Sequence, residues 1–281
     1  MKQLGIIGYQ LSHSISPEFQ QAALDHHKIN AEFHRWEIKE DELNSFFETI
    51  QDADFVGASV TIPYKEKCVD LVDKVSDSAN LIGAVNCIVN TNNQLVGHNT
   101  DGSGFIRALK TKHGFNLKNK KVLLIGAGGA AKAISHSLIK ENIKEITIAN
   151  RTVSRGDELA QKLKSITPKV NSIKLERQSL IKPLKDVDLI VNTTSIGMKN
   201  SLHPEHSPIP IDLIPNNAVV NDIVYNPIET PLIKAAKMRN ASTIGGLDML
   251  VYQGVEAFEL WTGRRAPETI MYDAAREALG L

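Results

Sequence analysis

Residues 121–131 read Lys-Val-Leu-Leu-Ile-Gly-Ala-Gly-Gly-Ala-Ala, and this stretch decides the fold. The apolar run Lys121–Ile125 predicts a buried strand, and Gly129–Glu141 predicts the helix that follows it. Between them Gly126, Gly128 and Ala131 fit the G-x-G-x-x-G/A pattern of a dinucleotide-binding turn. The first glycine permits the tight turn, and the second lets backbone approach a pyrophosphate. The small third residue keeps helix and strand close. The start of the helix offers N–H groups and a positive dipole end to phosphate. Glycines also occur in plain strand–turn–helix corners, but a strand before and a helix after the motif favour the dinucleotide.

The next strand, Glu145–Ala149, bears on which dinucleotide. NAD-binding chains usually carry Asp or Glu there, roughly 20 residues past the motif, to hold the ribose hydroxyls. Here the slot reads Asn150-Arg151-Thr152, followed by Arg155. With no acid present and two guanidinium groups at hand, the site suits the 2′-phosphate of NADP, which an arginine fork binds well. Two ordinary surface arginines at a helix start would work against the helix dipole.

Working outward, the second half continues with a helix over Val153–Lys164 and strands at Val187–Asn192 and Ala218–Asp222. A Pro- and His-containing loop covers Lys199–Pro215, and a helix spans Thr230–Arg239. The first half reads as strands Lys2–Gly8, Ala31–Ile38, Phe55–Ile62, Ala84–Asn90 and Gln94–His98. Its helices are one starting at Ser16-Pro17, with Ser16 as cap, one over Glu40–Ile50 and one over Lys65–Val72. This β-α-β-α-β order predicts parallel strands with helical crossovers. In the tail Leu247, Leu250, Val251, Phe258 and Trp261 form a helical stripe. The tail does not extend the second series of strands, so it is expected to pack on the first half. The expectation is therefore an α/β chain of two domains with a cleft between them. The substrate domain would be 1–101 with 240–281, and the dinucleotide-binding domain, of Rossmann type, 102–239.

Composition narrows the function. The chain has 281 residues, 42% of them hydrophobic, enough for a sizeable core. Lys+Arg and Asp+Glu number 32 each, so nothing draws the chain toward nucleic acid or an acidic membrane. Cys68 and Cys87 make neither a disulfide framework nor a metal spacing, and no metal is expected. The apolar run at the start is too short for a signal peptide, and no stretch reaches the roughly 18 apolar residues of a span. A cytoplasmic location is the expectation, as a monomer or homodimer.

Further motifs sharpen the reading. They are Ser12-His13-Ser14-Ile15-Ser16-Pro17, Val60-Thr61-Ile62-Pro63-Tyr64-Lys65, Gly83-Ala84-Val85-Asn86, Asn99-Thr100-Asp101-Gly102, and Gly246-Leu247-Asp248-Met249-Leu250 with Gln253. With the glycine turn and Asn150-Arg151-Thr152, they resemble the shikimate dehydrogenase family in order along nearly the whole chain. Departures are Ser59, where the family often has Asn, and Tyr9-Gln10, where it often has Asn-Pro. The resemblance implies NADPH-dependent reduction of 3-dehydroshikimate to shikimate, a step of aromatic amino-acid biosynthesis. It implies that Ser14 and Ser16 hold the substrate carboxylate, and that Thr61, Lys65, Asn86, Asp101 and Gln253 meet the ring hydroxyls. Gly126, Ala127, Gly128, Gly129, Ala130, Asn150, Arg151, Thr152 and Arg155 would hold the cofactor. Gly246 and Met249 would line its nicotinamide end. Asn192–Met198, with Thr193, would pass near its adenosine, and Ile223 and Tyr225 near its nicotinamide side and the substrate.

The chemistry suits these residue types. Hydride delivery to a ketone leaves negative charge on oxygen, which an ammonium can stabilise and protonate. Lys65 follows Pro63 at a strand end, where α/β sheets bind ligands. Asp101 can orient it and accept a substrate hydroxyl. Taken singly, Lys65 reads as a solvated surface charge, Asp101 and Ser16 as helix caps, Thr61 as a strand former and Met249 as core. Three rivals share the plan: a relaxed quinate/shikimate dehydrogenase, a catalytically silent NADP sensor and a tetrahydrofolate dehydrogenase. The Lys65, Asp101 and serine set has no use in a sensor.

Overall fold

The structure, a computed structural model, describes residues 1–50, 54–167 and 169–281. The chain divides into two compact units, Met1–Gly104 with Val251–Leu281, and Phe105–Leu250.

The first unit contains β1 (Lys2–Gly8), α1 (Ser16–His26), β2 (Ala31–Glu37), α2 (Leu43–Thr49), β3 (Phe55–Val60), β4 (Lys74–Val75), α3 (Asp77–Ile82), β5 (Cys87–Thr91) and β6 (Gln94–His98). Its sheet runs β2-β1-β3-β5-β6-β4. The pairs β1–β2 and β1–β3 are parallel, as the alternating strands and helices predict. Strand β5 departs from that expectation and pairs antiparallel with both β3 and β6. For the β5–β6 pair the reason is local: the two strands are joined by Asn92-Asn93 alone, with φ of 53° and 60°. A two-residue turn with both φ positive reverses the chain, and asparagine is among the few residues that accept the conformation. Strand β5 also begins at Cys87 and not at Ala84. The helix expected over Lys65–Val72 shrinks to one 3₁₀ turn, Lys67–Val69.

One core cluster of this unit gathers Ile7, Phe47, Phe55, Val60, Tyr64, Cys68, Val85, Ile88 and Leu95. The helices α4 (Asp101–Arg107), at one unit boundary, and α9 (Leu247–Thr262), at the other, come next, and α10 (Glu268–Ala278) closes the tail. Val251, Phe258 and Trp261 of the expected stripe are buried on α9. Trp261 Nε1 donates to Ile88 O at 2.9 Å, which ties the tail to β5.

The second unit holds β7 (Lys121–Ile125), α5 (Gly129–Lys140), β8 (Glu145–Asn150), α6 (Val153–Lys164), β9 (Val170–Lys174), α7 (Arg177–Leu184), β10 (Leu189–Asn192), β11 (Val219–Asp222), α8 (Pro231–Met238) and β12 (Ser242–Ile244). Its sheet is parallel throughout, in the order β12-β11-β10-β7-β8-β9. Alternate residues feed two cores: Val122, Leu124, Leu189 and Val191 enter one, Leu123, Ile125, Ile190 and Val220 the other. A strand covered on both faces must be apolar at every position, which is why β7 reads as an unbroken hydrophobic run. Among the described residues no helix is long and apolar enough to cross a membrane.

Candidate active site

In the first unit, Lys65 lies on the turn just beyond β3. That turn is held by Tyr64, whose hydroxyl donates to Ile38 O at 2.7 Å, and by Val85 N–H, which donates to Lys65 O at 2.7 Å. Asp101 opens α4, where its N–H is taken by Asn99 Oδ1 at 3.1 Å, and Asn99 Nδ2 donates to Ala84 O at 2.9 Å. Lys65 Nζ donates to Asp101 Oδ2 at 2.6 Å. The lysine side chain is 18% exposed and the aspartate 5%, so the pair is sheltered while the ammonium remains within reach of a ligand.

The other carboxylate oxygen is also occupied. Asn86 Nδ2 donates to Asp101 Oδ1 at 2.9 Å and to Thr100 Oγ1 at 3.0 Å, and lies 3.4 Å from Gln253 Oε1. Asn86 Oδ1 in turn accepts Thr100 N–H at 2.7 Å. Lys65, Asn86, Asp101 and Gln253, far apart in sequence, thus meet in one network. Gln253 is brought in by close helix packing: a Cβ on Gly104 would stand 2.6 Å from Gln253 N. Thr61 stands just past β3, its methyl where a Cβ on Gly8 would collide, at 2.6 Å.

Ser14 and Ser16 form a separate corner. Ser14 Oγ accepts Ser16 N–H at 3.3 Å, and Arg35 donates to Ser14 O at 3.0 Å. This corrects the expected cap. Ser16 is the first residue of α1, Ile15 occupies the cap position without a side-chain bond, and Ser14 takes the Ser16 amide. Pro17 follows in the first turn, where its missing N–H costs nothing.

In the second unit Gly126 has φ of +111°, and a Cβ there would lie 2.5 Å from Thr193 Oγ1. No side chain survives in that position. Gly128, the residue before α5, has open space where a Cβ would be, and no side chain caps the helix. Ala127 is buried, whereas Gly129 and Ala130 are partly exposed in the first turn of α5. The uncapped N–H groups and the open approach over Gly128 fit a pyrophosphate. Asn150 ends β8, its Nδ2 donating to Thr152 O at 2.8 Å, and Thr152 precedes α6. Arg151 and Arg155 are exposed there. No acid stands at the end of β8, so the residues present fit NADP. Thr193 follows β10, its N–H and hydroxyl both donating to Ile125 O, at 2.9 and 2.6 Å. Gly246 packs on Ile223, whose carbonyl oxygen is 2.2 Å from where a Cβ would be. Met249 is buried in the core beside Ile223, and Tyr225 is half-buried.

Two groups of residues escaped the sequence reading. Asn99 and Thr100 were visible in the Asn-Thr-Asp-Gly motif, but their bonds to Ala84 and Asn86 were not. Asp222 and Thr230 were not singled out; with Asn192, from the stretch expected near the adenosine, they form a buried polar cluster signalled in the sequence only by a polar residue at each of two strand ends.

Family models cover most of the chain. A shikimate dehydrogenase substrate-binding domain matches residues 6–88, a shikimate/quinate 5-dehydrogenase model residues 108–205, and a shikimate 5′-dehydrogenase C-terminal domain residues 246–276. A shikimate dehydrogenase (NADP(+)) of Bacillus cereus is 40% identical over 267 residues, 94% of each chain. The solved shikimate 5-dehydrogenase of Thermus thermophilus, in complex with NADP(H) and shikimate, is 33% identical with a TM-score of 0.88, covering 99% of this chain and 100% of that one. A quinate dehydrogenase of Corynebacterium glutamicum, in complex with NAD, is 29% identical with a TM-score of 0.88, covering 98% and 99%.

Proposed function

Since the chain belongs to the shikimate dehydrogenase family, we propose that it catalyses the reversible NADP-dependent reduction of 3-dehydroshikimate to shikimate. The observation that carries this reading is the sheltered Lys65–Asp101 pair at 2.6 Å, with Asn86 on the second carboxylate oxygen. The cofactor, when bound, supplies and takes back the hydride. The chain supplies the proton and the charge stabilisation.

As the substrate carbonyl is reduced, negative charge grows on its oxygen. The Lys65 ammonium carries three hydrogens, and Asp101 engages one of them. Another can point at that oxygen, stabilise it and pass over as the proton. Asp101 keeps the ammonium in place, because both its own oxygens are fixed by Lys65 and Asn86. In the oxidation direction the same pair receives the hydroxyl proton. Asn86 and Gln253, with Thr61, offer donors and acceptors to a polyhydroxylated ring. Ser14 and Ser16 offer hydroxyls to its carboxylate. Gly126–Ala130 with the start of α5 receive the pyrophosphate, Asn150, Thr152, Arg151 and Arg155 the adenosine phosphate end, and Thr193, Ile223, Gly246 and Met249 the remainder, with Tyr225 meeting the substrate beside the nicotinamide. Most substrate groups thus fall on 1–101 with 240–281 and most cofactor groups on 102–239, with Gly246 and Met249 serving the cofactor from the later segment.

Replacing Lys65 tests the reading. Lys65→Ala should lower kcat by roughly 10²–10⁴-fold, the usual worth of a positioned acid–base group, while NADPH affinity by fluorescence titration stays within about twofold. Asp101→Asn should lower kcat as well, since the amide can no longer hold the ammonium by charge. A Lys65→Ala protein that turns over at the wild-type rate would remove Lys65 from the chemistry.

A further inference from the structure

One buried acid has no part in this chemistry. Asp222 closes β11 and is fully buried. Asn192 Nδ2, at the end of β10, donates to its Oδ1 at 2.9 Å, and Val224 N–H donates to the same oxygen at 3.1 Å. The Thr230 hydroxyl donates to Oδ2 at 2.7 Å. Even with these donors, burial pushes the carboxyl up to about 6. A core position that costs this much is normally filled by an apolar residue, so the acid needs a reason.

Its partners supply one, because each shapes a loop. Asn192 Oδ1 accepts the Thr194 N–H at 3.1 Å and the Thr194 hydroxyl at 2.7 Å, and Thr194 Oγ1 accepts Ile196 N–H at 3.2 Å. Thr230 Oγ1 also accepts Ile233 N–H and so caps α8. One carboxylate therefore anchors both the loop 193–198 after β10 and the segment 223–230 after β11. The first of these runs beside the glycine turn, and the second beside the first. Thr193 bonds Ile125 O through both N–H and hydroxyl and fills the space a Gly126 side chain would need. Ile223 N–H donates to Asn192 O at 3.1 Å, and Ile223 O packs on Gly246.

In a doubly wound sheet, ligands lie outside the carboxyl ends of the strands where the strand order reverses. Here that point falls between β7 and β10, the two strands Thr193 bridges. With the pyrophosphate on the Gly126 turn and Arg151 beyond β8, the far half of the dinucleotide has the ends of β10 and β11 to lie on. We propose that Asp222 is a positioning residue for the cofactor: by fixing the 193–198 segment beside the Gly126 turn and the 223–230 segment next to it, it sets the surface that receives NADP beyond its pyrophosphate. It acts through Thr193 and Ile223 and does not touch the reacting atoms. The inference rests on the NADP reading above.

Asp222→Ala and Asp222→Asn, assayed beside the wild type, test it by the split between the two substrates. Asp222→Ala should raise the NADPH Kd and the KM for NADP about tenfold or more, with the KM for shikimate within about twofold. Asp222→Asn keeps an acceptor for Asn192 and Val224 and loses only the one for Thr230, so an intermediate loss of about threefold is expected. If Asp222→Ala does not fold, Asp222→Asn decides alone. A lower Tm with unchanged NADPH affinity, or equal losses for both substrates, would make Asp222 merely structural and overturn the proposal. A wild-type chain that does not bind NADPH would overturn the cofactor reading itself, and this inference with it, whereas tight wild-type binding with an unaffected variant overturns this inference alone.

Discussion

Arg151 illustrates how a single residue can be read from its local cost. It precedes α6 by two positions, and Arg155 lies in the first turn, where a helix dipole disfavours positive charge. The end of β8 offers no carboxylate to pair with the ribose. A phosphate ligand would turn that cost into a gain, because the guanidinium meets it with two parallel bonds. Arg151→Ala should therefore raise the KM for NADP about tenfold or more and alter that for NAD by less than about twofold; equal changes would remove the 2′-phosphate argument. Lys65 and Asp101 were legible in a different way. Neither stands out alone among 32 basic and 32 acidic residues, and only their place in ordered motifs marked them. Asp222 could not be found from sequence, since a lone acid at a strand end looks the same whether it is solvated or wholly buried.

Elements were legible where a hydrophobic period was strong. The runs that became β1, β3, β7, β8, β10 and β11 are apolar enough to declare themselves, as is the stripe on α9. The misses have weak periods. Strand β9 reads Val-Asn-Ser-Ile-Lys, β4 has two residues, and α7 carries Pro183 near its end. Parallel order fails at the β5–β6 pair, because the Asn92-Asn93 turn dictates a hairpin there. That turn gives a test. Asn93 sits at φ of 60°, a conformation a β-branched residue tolerates poorly. Asn93→Val should cost on the order of 1–2 kcal/mol in urea unfolding, and Asn93→Gly should cost nothing or stabilise. A neutral valine variant would mean that the turn does not govern the hairpin.

At the scale of the molecule, Asp222 links stability to pH. Its carboxyl is raised from 3.8 to about 6 by burial, so the folded chain binds this proton more tightly than the unfolded chain. The stability it contributes is full below about pH 4 and is lost as pH rises through about 6. Between those values wild type should lose on the order of 3 kcal/mol relative to Asp222→Asn, read from urea midpoints across the range. A constant difference would show that the acid titrates normally. The whole catalytic cycle is tested by a set of initial rates on one purified sample: shikimate and quinate, each with NADP and with NAD. A high kcat/KM is expected for shikimate with NADP, with much lower values for the other three pairs. Comparable rates with quinate or NAD would contradict a dedicated NADP-dependent shikimate dehydrogenase and move the chain toward its quinate-oxidising relatives.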